Sequence, residues 1–267
     1  MNRHPKSAVA AQVRPAQGAA PARPAAVPRG PVRPSGRMDM HLVSFLKPHS
    51  FEAEQYRTLR HVLERRHRTE LLSLVAVTSS GVGDGKTTTS LNLAGALAQA
   101  PDARVLLIDA DLRRPAAARH LGLSDDGPGL AGLLRDASLD LPQVVKQIAP
   151  WTLSILTAGR CPDSPYELLK SPRMGDVLDR ARRLFDYVVI DTPPSVAFPD
   201  CRLLEKWVDG FILVVGAHQT PRKLVEEALA TMEPAKVLGM VLNSDDRPLS
   251  GYYGYYGHYY EDRGQDD

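Results

Sequence analysis

Ser79-Ser80-Gly81-Val82-Gly83-Asp84-Gly85-Lys86-Thr87-Thr88 is the stretch that decides the fold. It follows a short apolar run, residues 71–77, that reads as a buried strand, and it opens into a helical pattern beginning near Lys86. Glycines at this density let backbone N–H groups turn inward around anionic oxygens at the positive end of a helix. Lys86 then brings a point charge to the β- and γ-phosphates of a nucleotide, and the Thr87 hydroxyl suits magnesium. The strict phosphate-loop pattern has glycine where this chain has Ser80; Gly81, Gly83 and Gly85 compensate. The reading assigns Gly81, Val82, Gly83, Asp84, Gly85, Lys86, Thr87 and Thr88 to nucleotide binding. A merely flexible glycine loop is the plainer alternative, and the strand-loop-helix setting speaks against it.

The same alternation continues in both directions. Apolar runs at 104–108, 153–156, 187–190, 211–215 and 237–242 predict strands, and the patterns at 115–121, at 165–184 and after Pro221 predict helices. Upstream, Phe51, Tyr56, Leu59 and Leu63 recur among Glu and Arg, which predicts an amphipathic helix over 50–67 before the first strand. Apolar strands spaced by amphipathic helices predict an α/β fold: a P-loop NTPase-like, mostly parallel sheet with helices on both faces. Ligands of such sheets bind beyond the carboxyl ends of the strands.

A phosphate loop needs carboxylates to hold the metal and to orient or deprotonate a nucleophile. Two strand ends supply them. Val105-Leu106-Leu107-Ile108-Asp109-Ala110-Asp111 ends an apolar run in two acids, and Tyr187-Val188-Val189-Ile190-Asp191 ends another in one. Aspartate is also an ordinary loop-starting residue. Three on one rim exceed what turn chemistry requires, and Asp111 and Asp191 are assigned to the metal site.

A chain of 267 residues fits one catalytic domain with tails. Its two cysteines, Cys161 and Cys201, form no CxxC or Cys/His cluster, so neither a disulfide framework nor a zinc site is expected. There is no secretory h-region and no run long enough to span a membrane, and a cytoplasmic location is expected. Residues 1–37 carry seven Lys or Arg and no acid, which leaves the remainder at −5 against a net charge of +2. A body of that sign has no overall pull toward nucleic acid. The expected organisation is a disordered basic Pro/Ala-rich leader over 1–37, a catalytic domain over 38–248 and a flexible tail over 249–267.

Taken together these residues resemble the bacterial tyrosine kinases often called BY-kinases, the cytoplasmic kinases of capsule and exopolysaccharide systems. The resemblance spans residues 52–260. Gly81 to Thr87 is similar to the family's Walker A, Asp109-Ala110-Asp111-Leu112-Arg113 to its A′ motif, and Ile190-Asp191-Thr192-Pro193-Pro194 to its Walker B. The segments at 164–174 and 236–243 also match; they carry little chemistry and narrow the family. The resemblance implies that Lys86 binds phosphate, that Thr87 and Asp111 ligate Mg2+, and that Asp191 holds the metal through water. It implies Asp109 as base toward a tyrosine hydroxyl and puts Arg113 in the catalytic group. With a carboxylate pKa near 4 against a phenol near 10, most of the acceleration is expected from alignment and charge neutralisation. Glu54, Arg57 and Arg60 resemble the family's ExxRxxR segment, which implies a ring-like homo-oligomer; an intrahelical ion pair is the plainer reading. The resemblance further implies a separate transmembrane activator or polysaccharide co-polymerase, attachment to the inner face of the membrane through it, and a tyrosine phosphatase.

The segment Gly251-Tyr252-Tyr253-Gly254-Tyr255-Tyr256-Gly257-His258-Tyr259-Tyr260 holds six of the nine tyrosines. Tyr252, Tyr253, Tyr255, Tyr256, Tyr259 and Tyr260 are the expected phosphoacceptors for ATP, and each phosphate adds about −1.5 to −2 charge, which should open the self-assembly. A Gly/Tyr segment used for weak association is the alternative. Two other function classes compete: an ATP-dependent dimerisation switch like the MinD or ParA ATPases, and a nucleotide-binding scaffold of a polysaccharide polymerase. The switch group carries an extra lysine where Gly81 stands.

Overall fold

The computed structural model describes residues 31–161 and 163–245. Its centre is a seven-stranded sheet: β1 Leu74–Ser79, β2 Val105–Asp109, β3 Lys146–Ile148, β4 Leu153–Leu156, β5 Tyr187–Asp191, β6 Gly210–Gly216 and β7 Val237–Asn243. The order across the sheet is β3-β4-β2-β5-β1-β6-β7. Every pairing is parallel except β3 with β4. The helices are α1 Val43–Leu46, α2 Phe51–Glu70, α3 Lys86–Leu97, α4 Ala117–His120, α5 Gly129–Arg135, α6 Leu141–Val144, α7 Pro165–Lys170, α8 Pro172–Leu184, α9 Asp200–Leu204 and α10 Arg222–Ala230.

Strand periodicity divides the core. Val105 and Leu107 of β2 face one side, with Val75, Val77 and Val189, and pack on α1, α2 and α3 through Phe45, Leu63, Leu91 and Leu97. Leu106 and Ile108 face the other side, with Val188 and Ile190, against Leu133, Leu178 and Leu204 of α5, α8 and α9. Alternate side chains of a strand point to opposite faces, so apolar runs without polar interruption are what a sheet covered on both faces requires. The central strands therefore meet the expectation from sequence, and their carboxyl ends, β1, β2 and β5, lie side by side.

Three boundaries differ from the sequence reading. The first strand starts at Leu74 rather than at residue 71, because Leu71 closes α2 in the left-handed region (φ 56°) and is exposed. The pattern over 165–184 is two helices, broken at Ser171 (ψ 146°), where the following Pro172 disfavours helical backbone. Residues 31–37, assigned to the leader by composition, are built into the fold. Val32 exchanges hydrogen bonds with β3 and its neighbour, donating to Gln147 O (2.8 Å) and accepting from Ala149 N (3.0 Å). Ser35 and Gly36 both donate to Gly122 O. The rest of the leader, residues 1–30, and the tyrosine-rich tail lie outside the described residues. Among the described residues no helix is long and apolar enough to cross a membrane.

Candidate functional site

The loop between β1 and α3 is held from within. Gly83 and Gly85 take φ of 92° and 88°, which side chains resist, and they turn the chain so that α3 begins at Lys86. Asp84 is the strut: its Oδ2 accepts from Gly81 N (2.8 Å), its Oδ1 from Thr220 Oγ1 (2.7 Å), and its carbonyl from Asn243 Nδ2 (2.9 Å). Asp84 and the Gly81 N–H are thus engaged in shaping the loop. Val82 stands exposed at the tip, and Lys86 and Thr87, which open α3, reach the acids at and just beyond the carboxyl ends of β5 and β2.

Lys86 Nζ lies 2.8 Å from Asp111 Oδ2 and 3.9 Å from Asp191 Oδ1. Thr87 Oγ1 donates to Asp191 Oδ2 at 2.7 Å. Ser90 Oγ, one turn along α3, sits 3.1 Å from Asp191 Oδ1 and 2.9 Å from the Lys86 carbonyl. Burial alone would depress the Lys86 ammonium, but Asp191 and Asp111 outweigh it and hold it above its ordinary value. Asp191 is fully buried, and burial pushes its carboxyl up against the opposing pull of Lys86 and Thr87. Asp109, also buried, is pushed up to about 8 by burial and by Asp191. Its oxygens accept from the backbone N–H groups of Asp111 (3.2 Å), Ala116 (3.1 Å) and Ala117 (3.0 Å), which ties the A′ loop to the start of α4.

The sequence-assigned groups divide accordingly. Lys86, Thr87, Asp111 and Asp191 converge, with Asp109 behind them. Arg113 turns aside: its Nε and Nη2 reach Asp200 Oδ2 and Oδ1 at 2.7 and 3.1 Å, and it stacks 4.5 Å over the Phe198 ring. Glu54, Arg57 and Arg60 make contacts within the chain. Arg57 pairs with Glu54 and bonds Gln99 and the Pro48 carbonyl, and Arg60 pairs with Glu64 and donates to Ala96 O (2.8 Å) at the end of α3. Sequence reasoning missed Ser90, Thr220, Asn243 and Asp200. Ser90 was findable, four residues from Lys86 on one helix face. Asn243 stands in a segment read as carrying little chemistry, and in fact it props the phosphate loop.

The donor set suits a nucleotide with magnesium. Threonine hydroxyl and carboxylate oxygens are hard ligands, and magnesium bound largely through substrate phosphates and one or two carboxylates needs no all-protein cage; none is formed among the described residues. The Ser80 hydroxyl in the loop is buried without a partner.

Residues 74–250 match the family of the CobQ/CobB/MinD/ParA nucleotide binding domain. The chain is 36% identical over 224 residues to the tyrosine-protein kinase YwqD of Bacillus subtilis (strain 168), covering 83% of this chain and 93% of that one. It is 34% identical over 188 residues to the tyrosine-protein kinase CpsD of Streptococcus agalactiae, 69% of this chain and 81% of that one. The solved kinase domain of the Escherichia coli tyrosine kinase ETK superposes with a TM-score of 0.72 at 29% identity, over 81% of this chain and 85% of that chain. With its phosphate loop and rim acids in one cluster, the chain belongs to the bacterial tyrosine-protein kinases, a group with the CobQ/CobB/MinD/ParA nucleotide-binding domain.

Proposed function

We propose that the chain transfers the γ-phosphate of Mg-ATP to tyrosines of its own C-terminal tail, in trans within an assembly of copies. The observation that carries this reading is the meeting of one ammonium, one hydroxyl and two carboxylates within 4 Å: Lys86 with Asp111 at 2.8 Å and Asp191 at 3.9 Å, and Thr87 with Asp191 at 2.7 Å. The phenol oxygen attacks the γ-phosphorus, the bond from that phosphorus to the β–γ bridging oxygen breaks, and ADP leaves. Thr87, Asp111 and Asp191 would hold magnesium, which when bound would neutralise phosphate charge. Lys86 neutralises the same charge from the helix side, and the loop amides orient the phosphates. The phenol proton passes late to Asp109, the buried carboxylate at the end of β2.

The kinase relatives and the six clustered tail tyrosines support an autokinase over a simple ATPase switch. We place the chain in capsule or exopolysaccharide synthesis, at the inner face of the membrane beside a separate transmembrane activator, with a phosphatase resetting the tail. Glu54, Arg57 and Arg60 would serve self-association indirectly, by fixing how α2 lies on α3. Incubation with ATP labelled at the γ-phosphate tests the reading. Label on the tail, absent from Lys86→Met and from a tail deletion, is expected; release of free phosphate without labelled tyrosine would sink it and favour the switch.

A further inference from the structure

Beside the A′ loop lies an open cavity of about 520 Å³ with no part in the chemistry above. One wall is the incoming segment at Gly36 and Arg37; the other is the loop and helix after Asp111, at Pro115, Ala116 and Arg119. The walls are joined by backbone: Ser35 N and Gly36 N donate to Gly122 O at 3.1 and 2.9 Å. The join is close-fitting, for a Cβ on Gly122 would sit 2.5 Å from Gly36 O. Arg37 and Arg119 are both exposed, and neither has an acid partner among the described residues. Asp125 is the one carboxylate in the lining, so the cavity is left positive.

Its position matters as much as its charge. Ala116, in the wall, donates its N–H to Asp109 Oδ2 at 3.1 Å, so the cavity is one hydrogen bond from the proposed base. It belongs to the β2 side of the rim, across β5 and β1 from β6 and β7, where Thr220 and Asn243 brace the phosphate loop. Two lining arginines, neither paired with an acid among the described residues, in a pocket of this size suit an aryl phosphate, which carries about −1.5 to −2 charge and three strong acceptor oxygens. The tail tyrosines come as three adjacent pairs, Tyr252-Tyr253, Tyr255-Tyr256 and Tyr259-Tyr260. Whichever tyrosine enters the site therefore brings another immediately beside it.

We propose that this cavity binds a phosphotyrosine of an already modified tail while a neighbouring tyrosine occupies the acceptor position, so that one modification primes the next. The proposal rests on the kinase reading above and adds a second, non-catalytic subsite to it.

The test uses the full chain, treated with phosphatase and freed of it, and a peptide of residues 251–257, either unmodified or phosphorylated at the position of Tyr256. With saturating ATP, KM for the primed peptide should be about tenfold lower at unchanged kcat. Arg37→Ala with Arg119→Ala should abolish that difference and leave KM for the unmodified peptide as it was, and the double lysine variant should restore part of it. Equal KM values for the two peptides, or a preference that survives the double alanine variant, overturns the proposal. Transfer to neither peptide would fail the kinase reading instead, and the subsite is then decided by calorimetry on the nucleotide-free chain. Phosphopeptide binding that is lost in the double alanine variant supports it. Binding that ignores the variant, no detectable phosphopeptide binding, or inorganic phosphate bound as tightly as the phosphopeptide, overturns it.

Discussion

Replacing Gly85 by alanine should disturb the phosphate loop in two separable ways. At φ 88° an alanine is strained by about 1–2 kcal/mol relative to glycine. Its Cβ would also stand 2.0 Å from Asn243 Nδ2, which must swing away and surrender its 2.9 Å bond to the Asp84 carbonyl. A hydrogen bond of that kind contributes about 1 kcal/mol. The sum is about 2–3 kcal/mol for Gly85→Ala, against about 1 kcal/mol for Asn243→Ala alone. In the double variant the bond is lost only once, so the two substitutions should be sub-additive by about 1 kcal/mol, roughly fivefold in an equilibrium constant. Urea unfolding and fluorescent-nucleotide titration of the four proteins measure this directly. Strict additivity in both assays would refute the idea that Asn243 and Gly85 act through one contact.

Three further outcomes are expected. Arg113→Ala strands the buried Asp200 carboxylate and should cost about 3 kcal/mol, whereas Asp200→Asn leaves a guanidinium that still reaches water and should cost less; denaturant midpoints in the reverse order would contradict this. Gly129→Ala should be severe, because its Cβ would lie 2.2 Å from the backbone nitrogen of Gly159 at φ 55°, whereas Gly175→Ala meets the Trp207 ring, a side chain that can shift; comparable Tm losses would show the backbone contact to be less rigid than drawn. Burial raises Asp209, but Arg182 and the N–H groups of Ser73 and Leu74 outweigh it and hold its carboxyl below 3.8. A depressed carboxylate stabilises above its unfolded pKa and loses that contribution as pH falls through its folded one. Acid unfolding below about pH 4 should therefore begin at higher pH in Arg182→Met, and superimposable acid limbs would count against the pairing.

What was legible in sequence is what depends on local chemistry. The strand-loop-helix around Lys86 follows from glycines and an apolar run adjacent in the chain, and Asp111 and Asp191 reach one site because parallel strands end on one rim. Contacts decided by distant backbone were not legible. Nothing in Val32 announces that its N–H and carbonyl will pair with β3, since backbone pairing has no side-chain signature. Asp84 reads as a loop acid until Thr220 and Asn243, far along the chain, close on it. Arg57 and Arg60 show helical spacing, but whether they face another molecule or their own α3 depends on how two helices dock. The break at Ser171 could have been read from Pro172; the apolar periodicity runs straight through it and masked it.

On the autokinase reading proposed above, the position of β7 limits the order in which tyrosines can be served. From β7 to β2 is four interstrand steps, about 19 Å at roughly 4.8 Å each. Tyr252 lies seven residues beyond Asp245 and Tyr260 fifteen, so a fully drawn-out tether spans at most about 25 Å to the first and about 54 Å to the last. A copy serving itself at high dilution would have least slack at Tyr252, and so would modify the distal tyrosines first. A copy serving its neighbour carries no such restriction.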